Sequence, residues 1–246
     1  MNVDVYFSPA VVDESAVEGR VAVVIDVIRA TSTIVEALAN GARAIFPTVS
    51  TEEAVKLASS LGREDTLLCG ERKGLKVEGF DLGNSPSEFT SDVVGGKQLV
   101  MTTTNGTRAF AAAEGAERII SAAFLNLGAV TEALVRSEEL LIICAGRENR
   151  FSLDDALCAG KLLESLLGPE AGEARLNDGA RVALDLAEKY RVDSALLRST
   201  AAGGALVDVG LEADLDLCAS LDRHVLVPEM RDRRIGLPRK GDRESS

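Results

Sequence analysis

Apolar residues are distributed along this chain in two alternating ways: short unbroken β-branched or aliphatic runs, and longer segments with apolar positions at helical spacing. Residues 21–26 (VAVVID) form the first run, as expected of a strand buried on both faces. Residues 31–39 predict a helix, with Thr33 and Glu36 at capping-box spacing and Gly41 just past its end. Residues 44–49 predict a strand in which Pro47 calls for an edge position or a bulge. Ser50 and Glu53 open a helix running to residue 61, and residues 66–69 predict a short strand.

The rhythm then stops. Residues 70–89 are polar and glycine-rich, without period, and their Phe80, Leu82 and Phe89 predict an ordered loop lying on the body. Alternation resumes with strands at 98–102, 118–121 and 140–144, and helices from about residue 107, at 126–136 and at 153–167. The remainder predicts helices at 179–190, 194–201 and 212–221, with a last strand at 225–228.

This order predicts an α/β fold with a largely parallel or mixed sheet covered by helices. The pattern is also compatible with two closely packed lobes holding the site between them. Residues 1–230 form this single domain, and the basic residues 231–246 are expected to be a mobile C-terminal tail. In such folds ligands bind beyond the carboxyl ends of the strands, so the polar turns there are the places to look for chemistry.

Three turns stand out. In the first (DVIRAT, 26–31) Asp26 ends an apolar strand, and Arg29 and Thr31 begin a helix. A carboxylate there can hold a hard cation and the arginine an anion; the alternative is that Asp26 and Thr31 only cap the helix. In the second (TTTNGTR, 102–108) Thr103, Thr104, Asn105, Gly106, Thr107 and Arg108 offer the many donors that a phosphate or sulfonate requires. A threonine-rich strand end with a cap is the plainer reading. No P-loop motif occurs, which disfavours nucleoside triphosphates. In the third, Asp154 and Asp155 start a helix as metal ligands or a base, unless Ser152 and Asp155 form only a cap. Cys144 and Arg150 also have the Cys-x5-Arg spacing of cysteine-dependent phosphatases, but the glycine is misplaced and no Ser or Thr follows the arginine. In the long loop Glu71 and Asp81 are the acidic residues of interest, Asp81 because it sits between Phe80 and Leu82.

Composition narrows the chemistry. His224 is the only histidine, so a multi-histidine metal site is impossible and catalysis must rest on carboxylates, hydroxyls, arginines, thiols or a hard metal. A net charge of −12 disfavours nucleic acid and anionic lipid as partners. The four scattered cysteines argue against a disulfide framework. No apolar stretch is long enough to span a bilayer, and the acidic N-terminus does not read as a signal peptide, so a cytoplasmic protein is expected. A homo-oligomer is left open.

Six segments in order, among them IDVIRAT, GFDLGNSP, TTTNGTR and FSLDD, resemble the 2-phosphosulfolactate phosphatase family over nearly the whole chain. The resemblance implies Mg²⁺-dependent hydrolysis of (2R)-O-phospho-3-sulfolactate, or a close small acidic metabolite, to 3-sulfolactate and phosphate. In some organisms that step belongs to coenzyme M biosynthesis. The family pattern has Glu-Asp where this chain has Asp154-Asp155, which favours Asp155 for the carry-over. The site then expected has Mg²⁺ on Asp26 with one or both of Asp81 and Asp155. The Thr102 to Thr107 turn and Arg108 hold one anionic group, Arg29 holds the other, and Glu71 protonates the leaving oxygen. A cysteine-dependent phosphatase using Cys144 and Arg150, and a non-catalytic phosphate- or sulfonate-binding module, are the alternatives.

Overall fold

The buried apolar runs become strands because each has both faces covered. In a computed structural model, which describes residues 1–168 and 174–238, the strands are β1 (Asn2–Tyr6), β2 (Val21–Ile25), β3 (Ala44–Pro47), β4 (Thr66–Arg72), β5 (Leu75–Lys76) and β6 (Gln98–Thr102). They continue as β7 (Arg118–Ala122), β8 (Glu139–Cys144), β9 (Arg175–Leu176), β10 (Glu229–Arg231) and β11 (Arg234–Gly236). The helices are α1 (Ala30–Ala39), α2 (Thr51–Leu61), α3 (Ser91–Val94), α4 (Gly106–Ala112) and α5 (Leu127–Leu134). They continue as α6 (Leu153–Leu167), α7 (Asp178–Lys189), α8 (Ser194–Ser199), α9 (Ala201–Asp208) and α10 (Asp214–Cys218). Among the described residues none of these helices is long and apolar enough to cross a membrane.

All eleven strands form one mixed sheet in the order β5-β4-β6-β3-β11-β10-β7-β2-β8-β1-β9. β2 shows why its sequence reads as an unbroken apolar run. Val21, Val23 and Ile25 pack into a core with α5, α6 and α7, while Ala22 and Val24 pack into a second core with α1 and α4. β1 buries only Val3 and Val5, alternating with half-buried residues, and so lacks a run that stands out in the sequence.

The sheet has two parallel arms. β1, β8, β2 and β7 run together, as do β3, β6 and β4, and the hairpin β10–β11 joins the arms with antiparallel pairing on both sides. By pairing alone the arms point in opposite directions. The turns after β2 and β8 in one arm and after β4 and β6 in the other nevertheless line one cavity, with α1 buried from Ala30 to Leu38 beside it.

Several local expectations change. Residues 231–236 are not a mobile tail: Met230 and Ile235 are buried apolar anchors of the joining hairpin, and Arg118 neutralises the buried Glu229 at 2.6 Å. The rest of the expected tail, residues 239–246, lies outside the described residues. The strand expected at 225–228 is not formed: β10 begins at Glu229, and Val225 is 91% exposed. Thr33 and Glu36 cap nothing, because α1 starts earlier, at Ala30. Thr33 Oγ1 donates to Asn84 O (2.9 Å), and Glu36 is hydrogen-bonded to His224 Nε2 (2.7 Å), so the single histidine has a structural partner. Ser50 does cap α2, accepting from Glu53 N at 3.1 Å. Pro47 ends β3 beyond Ile45, the residue that pairs with β11, so its missing N–H costs no bond on that side.

Deleting residues 229–246 removes the strands that join the two arms. The truncated chain is expected to lose cooperative thermal unfolding, followed by circular dichroism, rather than to melt a few degrees lower.

Candidate active site

The turns after β2, β4, β6 and β8 line one cavity of about 250 Å³. Asp26, directly after β2, is buried, and its Oδ1 accepts from Ala30 N at 3.3 Å. Thr31 does not reach for a ligand: its hydroxyl donates to Asp26 O (2.8 Å) and accepts from Asp26 N (3.0 Å), which closes the turn. The Ile28–Arg29 peptide is cis. A Cβ on Gly106 would stand 2.5 Å from Ala30 Cβ and 2.7 Å from Asp26 Oδ2. Gly106 is therefore needed for the close approach of the α4 and α1 starts, not for donors.

Two carboxylates staple the turns together. Asp155 accepts from Val27 N (2.8 Å) through one oxygen and from Gly146 N (2.9 Å) through the other, tying the β2 turn to the β8 turn. Glu71 accepts from Thr104 N (2.7 Å) and Gly74 N (2.8 Å), tying the β4 turn to the β6 turn. With both oxygens engaged by amides, Glu71 is held as an acceptor, and the geometry does not favour it as the proton donor. The expected Ser152–Asp155 cap is not formed; Ser152 Oγ donates instead to Asp154 Oδ1 at 2.6 Å.

The second turn is tied up in part by itself. Thr103 Oγ1 accepts from Thr107 N (3.2 Å), Thr107 Oγ1 donates to Thr103 O (3.1 Å), and Asn105 Oδ1 accepts from Glu148 N (3.1 Å). Thr104 Oγ1 and Asn84 Oδ1 are buried at the cavity without a protein partner. Such groups await a ligand or water. Arg29 is buried against Asp214 (2.7 Å) and donates to Gly74 O (2.7 Å). Lys73 and Arg147 bring further positive charge to the rim, and α9 closes one side with Ala202, Ala205 and Leu206.

Four expectations fall outside this arrangement. Arg108 is exposed and absent from the cavity wall. Asp81 accepts from Leu68 N (2.8 Å) and pairs with Arg63 (3.1 Å), so it secures the loop rather than a metal. Cys144 is fully buried at the end of β8, its thiol pushed well above the usual range by burial and then by Asp155. Arg150 is exposed, so the pair needed for thiolate chemistry is not assembled at the cavity. Asp154, which the resemblance ranks behind Asp155, is the member of that pair not stapled by two turn amides. Two adjacent aspartates at a helix start do not reveal in sequence which one is the staple. Lys73, Arg147 and Asp214 lie in segments that carry the family resemblance without standing out within them, and Ala202, Ala205 and Leu206 had no signal.

Electrostatics mark the same place. Burial, followed by the charges of Asp154 and Glu71, raises the Asp26 carboxyl from 3.8 to about 7. Burial likewise raises Asp154. It raises Asp155 well above the carboxylate range, with Asp154 and Asp26 adding to the effect. Such a cluster calls for protons or a cation. Among the described residues no three acidic, imidazole or thiol groups converge into a ready-made metal cage. Asp26 and Asp154 instead fit a hard cation that keeps most of its waters and takes one or two carboxylates, as Mg²⁺ does.

Two consequences are measurable. A carboxyl raised in the folded state contributes stability that is present below its unfolded pKa and lost as pH rises through the folded one. Without divalent cations, Asp26→Asn is therefore expected to gain thermal stability over the wild type between about pH 4 and about pH 7, with a constant difference above that. Gly106→Ala is expected to lose about 1–3 kcal/mol in denaturant titration, because its methyl forces α4 away from Asp26 and Ala30.

A family model described as 2-phosphosulpholactate phosphatase matches residues 6–233. A probable 2-phosphosulfolactate phosphatase of Thermotoga petrophila is 42% identical over 231 residues, 93% of this chain and 95% of that protein. One of Symbiobacterium thermophilum is 43% identical over 221 residues (89% and 94%), and one of Clostridium perfringens 39% over 239 (96% of each). With the match spanning the turns after β2, β4, β6 and β8, the chain belongs to the 2-phosphosulpholactate phosphatase family.

Proposed function

We propose that this protein is a Mg²⁺-dependent phosphoric monoester hydrolase acting on (2R)-O-phospho-3-sulfolactate or a close small acidic metabolite. The observation that carries this reading is the juxtaposition, in one small cavity, of Asp26 and Asp154 with the cations Arg29, Lys73 and Arg147. A space of about 250 Å³ suits a three-carbon metabolite better than a nucleotide. The names of the relatives support the same substrate.

Asp26 and Asp154 would hold Mg²⁺, which supplies Lewis-acid neutralisation of the phosphoryl oxygens. The Thr104 hydroxyl, lacking a protein partner, is available as a donor to the substrate's oxygens, and the Asn84 amide oxygen can accept from water. Arg29 receives the second acidic group. The attacking water bonds to phosphorus as the ester P–O bond breaks, and the proton it gives up passes through water in the cavity to the departing alkoxide. One oxygen of Asp154 is fixed by Ser152, which leaves the other for the cation. Asp155 and Glu71 keep the turns in place. Four buried free cysteines and an acidic composition support a cytoplasmic setting.

Phosphate release from 2-phosphosulfolactate, with phospholactate and 2-phosphoglycerate alongside, tests this in Mg²⁺ and in EDTA. Mg²⁺-dependent release favouring the sulfonated ester is expected. Asp26→Asn and Asp154→Asn should each cost about 10³-fold or more in turnover while staying folded. Asp155→Asn should also lower thermal stability, by about 1–3 kcal/mol, because one turn amide loses its acceptor. Release that survives EDTA would overturn the metal reading. Stabilisation by phosphate with no turnover of any ester would leave a binding module.

A further inference from the structure

We propose that Asp214 is a positioning residue that fixes the Arg29 guanidinium in the orientation that receives the second acidic group of the substrate. This rests on the reading of the cavity as a diacid phosphatase site. Arg29 lines the cavity; Asp214, on α10, does not. The carboxylate therefore meets the guanidinium from behind, Oδ2 to Nη1 at 2.7 Å, with the two side chains 3% and 4% exposed. Nη2 donates to Gly74 O at 2.7 Å. A guanidinium has five N–H donors, so two are spent on its mount and three remain.

Asp214 is itself held. Its other oxygen, Oδ1, accepts from Ser85 Oγ, and Ser85 Oγ lies 2.9 Å from Ser87 Oγ. The mount thus joins the α1 turn, the loop after β5 and α10, segments up to 185 residues apart in sequence. A buried ion pair is a poor device for stability, since apolar residues of like volume serve as well or better. Its benefit here is direction. Asp26, Glu71 and Asp154 line the same cavity, and a guanidinium without a buried partner is drawn onto them. Anchored to Asp214, Arg29 remains a separate positive pole that an incoming anion can use.

Calorimetric binding of 3-sulfolactate and of inorganic phosphate, on the wild type, Asp214→Asn and Asp214→Glu, separates positioning from mere structure. In Asp214→Asn, affinity for sulfolactate should fall by about tenfold or more, the scale of one charge-assisted hydrogen bond, with phosphate affinity within about twofold. KM for 2-phosphosulfolactate should rise correspondingly more than kcat falls. Equal losses for both ligands, or none, overturn the proposal. If the Asn variant does not fold, Asp214→Glu, which keeps the charge but displaces the guanidinium, must show the same selective loss; unchanged selectivity there overturns it too. A wild type that binds sulfolactate but releases no phosphate sinks the catalytic reading and leaves this inference standing. One that binds phosphate but not sulfolactate sinks the inference.

Discussion

The site depends on the carboxylate of Asp155, which takes one backbone N–H from each of two turns, Val27 after β2 and Gly146 after β8. Strand ends are where a ladder stops satisfying backbone donors, and a buried donor left unpaired costs on the order of 1–3 kcal/mol. One side chain from the start of α6 satisfies two such donors and fixes the separation of the turns. Glu71 repeats the arrangement in the other arm with Thr104 and Gly74. The polar lining of the cavity is held in place by acceptors whose own oxygens are already used.

These staples also explain the electrostatics. Burial of the stapled turns removes the water that would solvate Asp26, Asp154 and Asp155, which is the first cause of their raised proton affinity, and Glu71 adds negative charge beside Asp26. The cavity therefore holds acidic groups with raised proton affinity next to the anchored Arg29. On the proposed reading it has a pole for a hydrated divalent cation and a pole for an anion. A substrate carrying a phosphate and a second acid matches both. Gly106 permits this density, since any side chain there would strike Asp26 and Ala30.

The second constraint is topological. The arms carrying Asp26 and Glu71 belong to parallel sets that oppose each other in the sheet, and the hairpin of β10 and β11 makes that reversal possible. The turns after the carboxyl ends of both arms nevertheless line one cavity. Residues near the C-terminus, far from the cavity, are in this way a condition for its existence.

The sequence by itself determined the α/β class, because a strand covered on both faces must be apolar throughout, as residues 21–25 are, and an amphipathic helix must carry its own period. It also pointed to the polar turns after the strands, and Asp26, Thr103, Thr104 and Asn105 from those turns all line the cavity. Only the tertiary structure decided which acid staples two turns, as Asp155 does and its neighbour Asp154 does not, since adjacent positions on a helix differ by about 100° in direction. It alone removed Arg108 and Asp81 from the site, placed residues 231–236 within the sheet, and set Asp214 behind Arg29. Those assignments rest on partners distant in the chain, and a local pattern of residue types carries no information about which distant donor a side chain will meet.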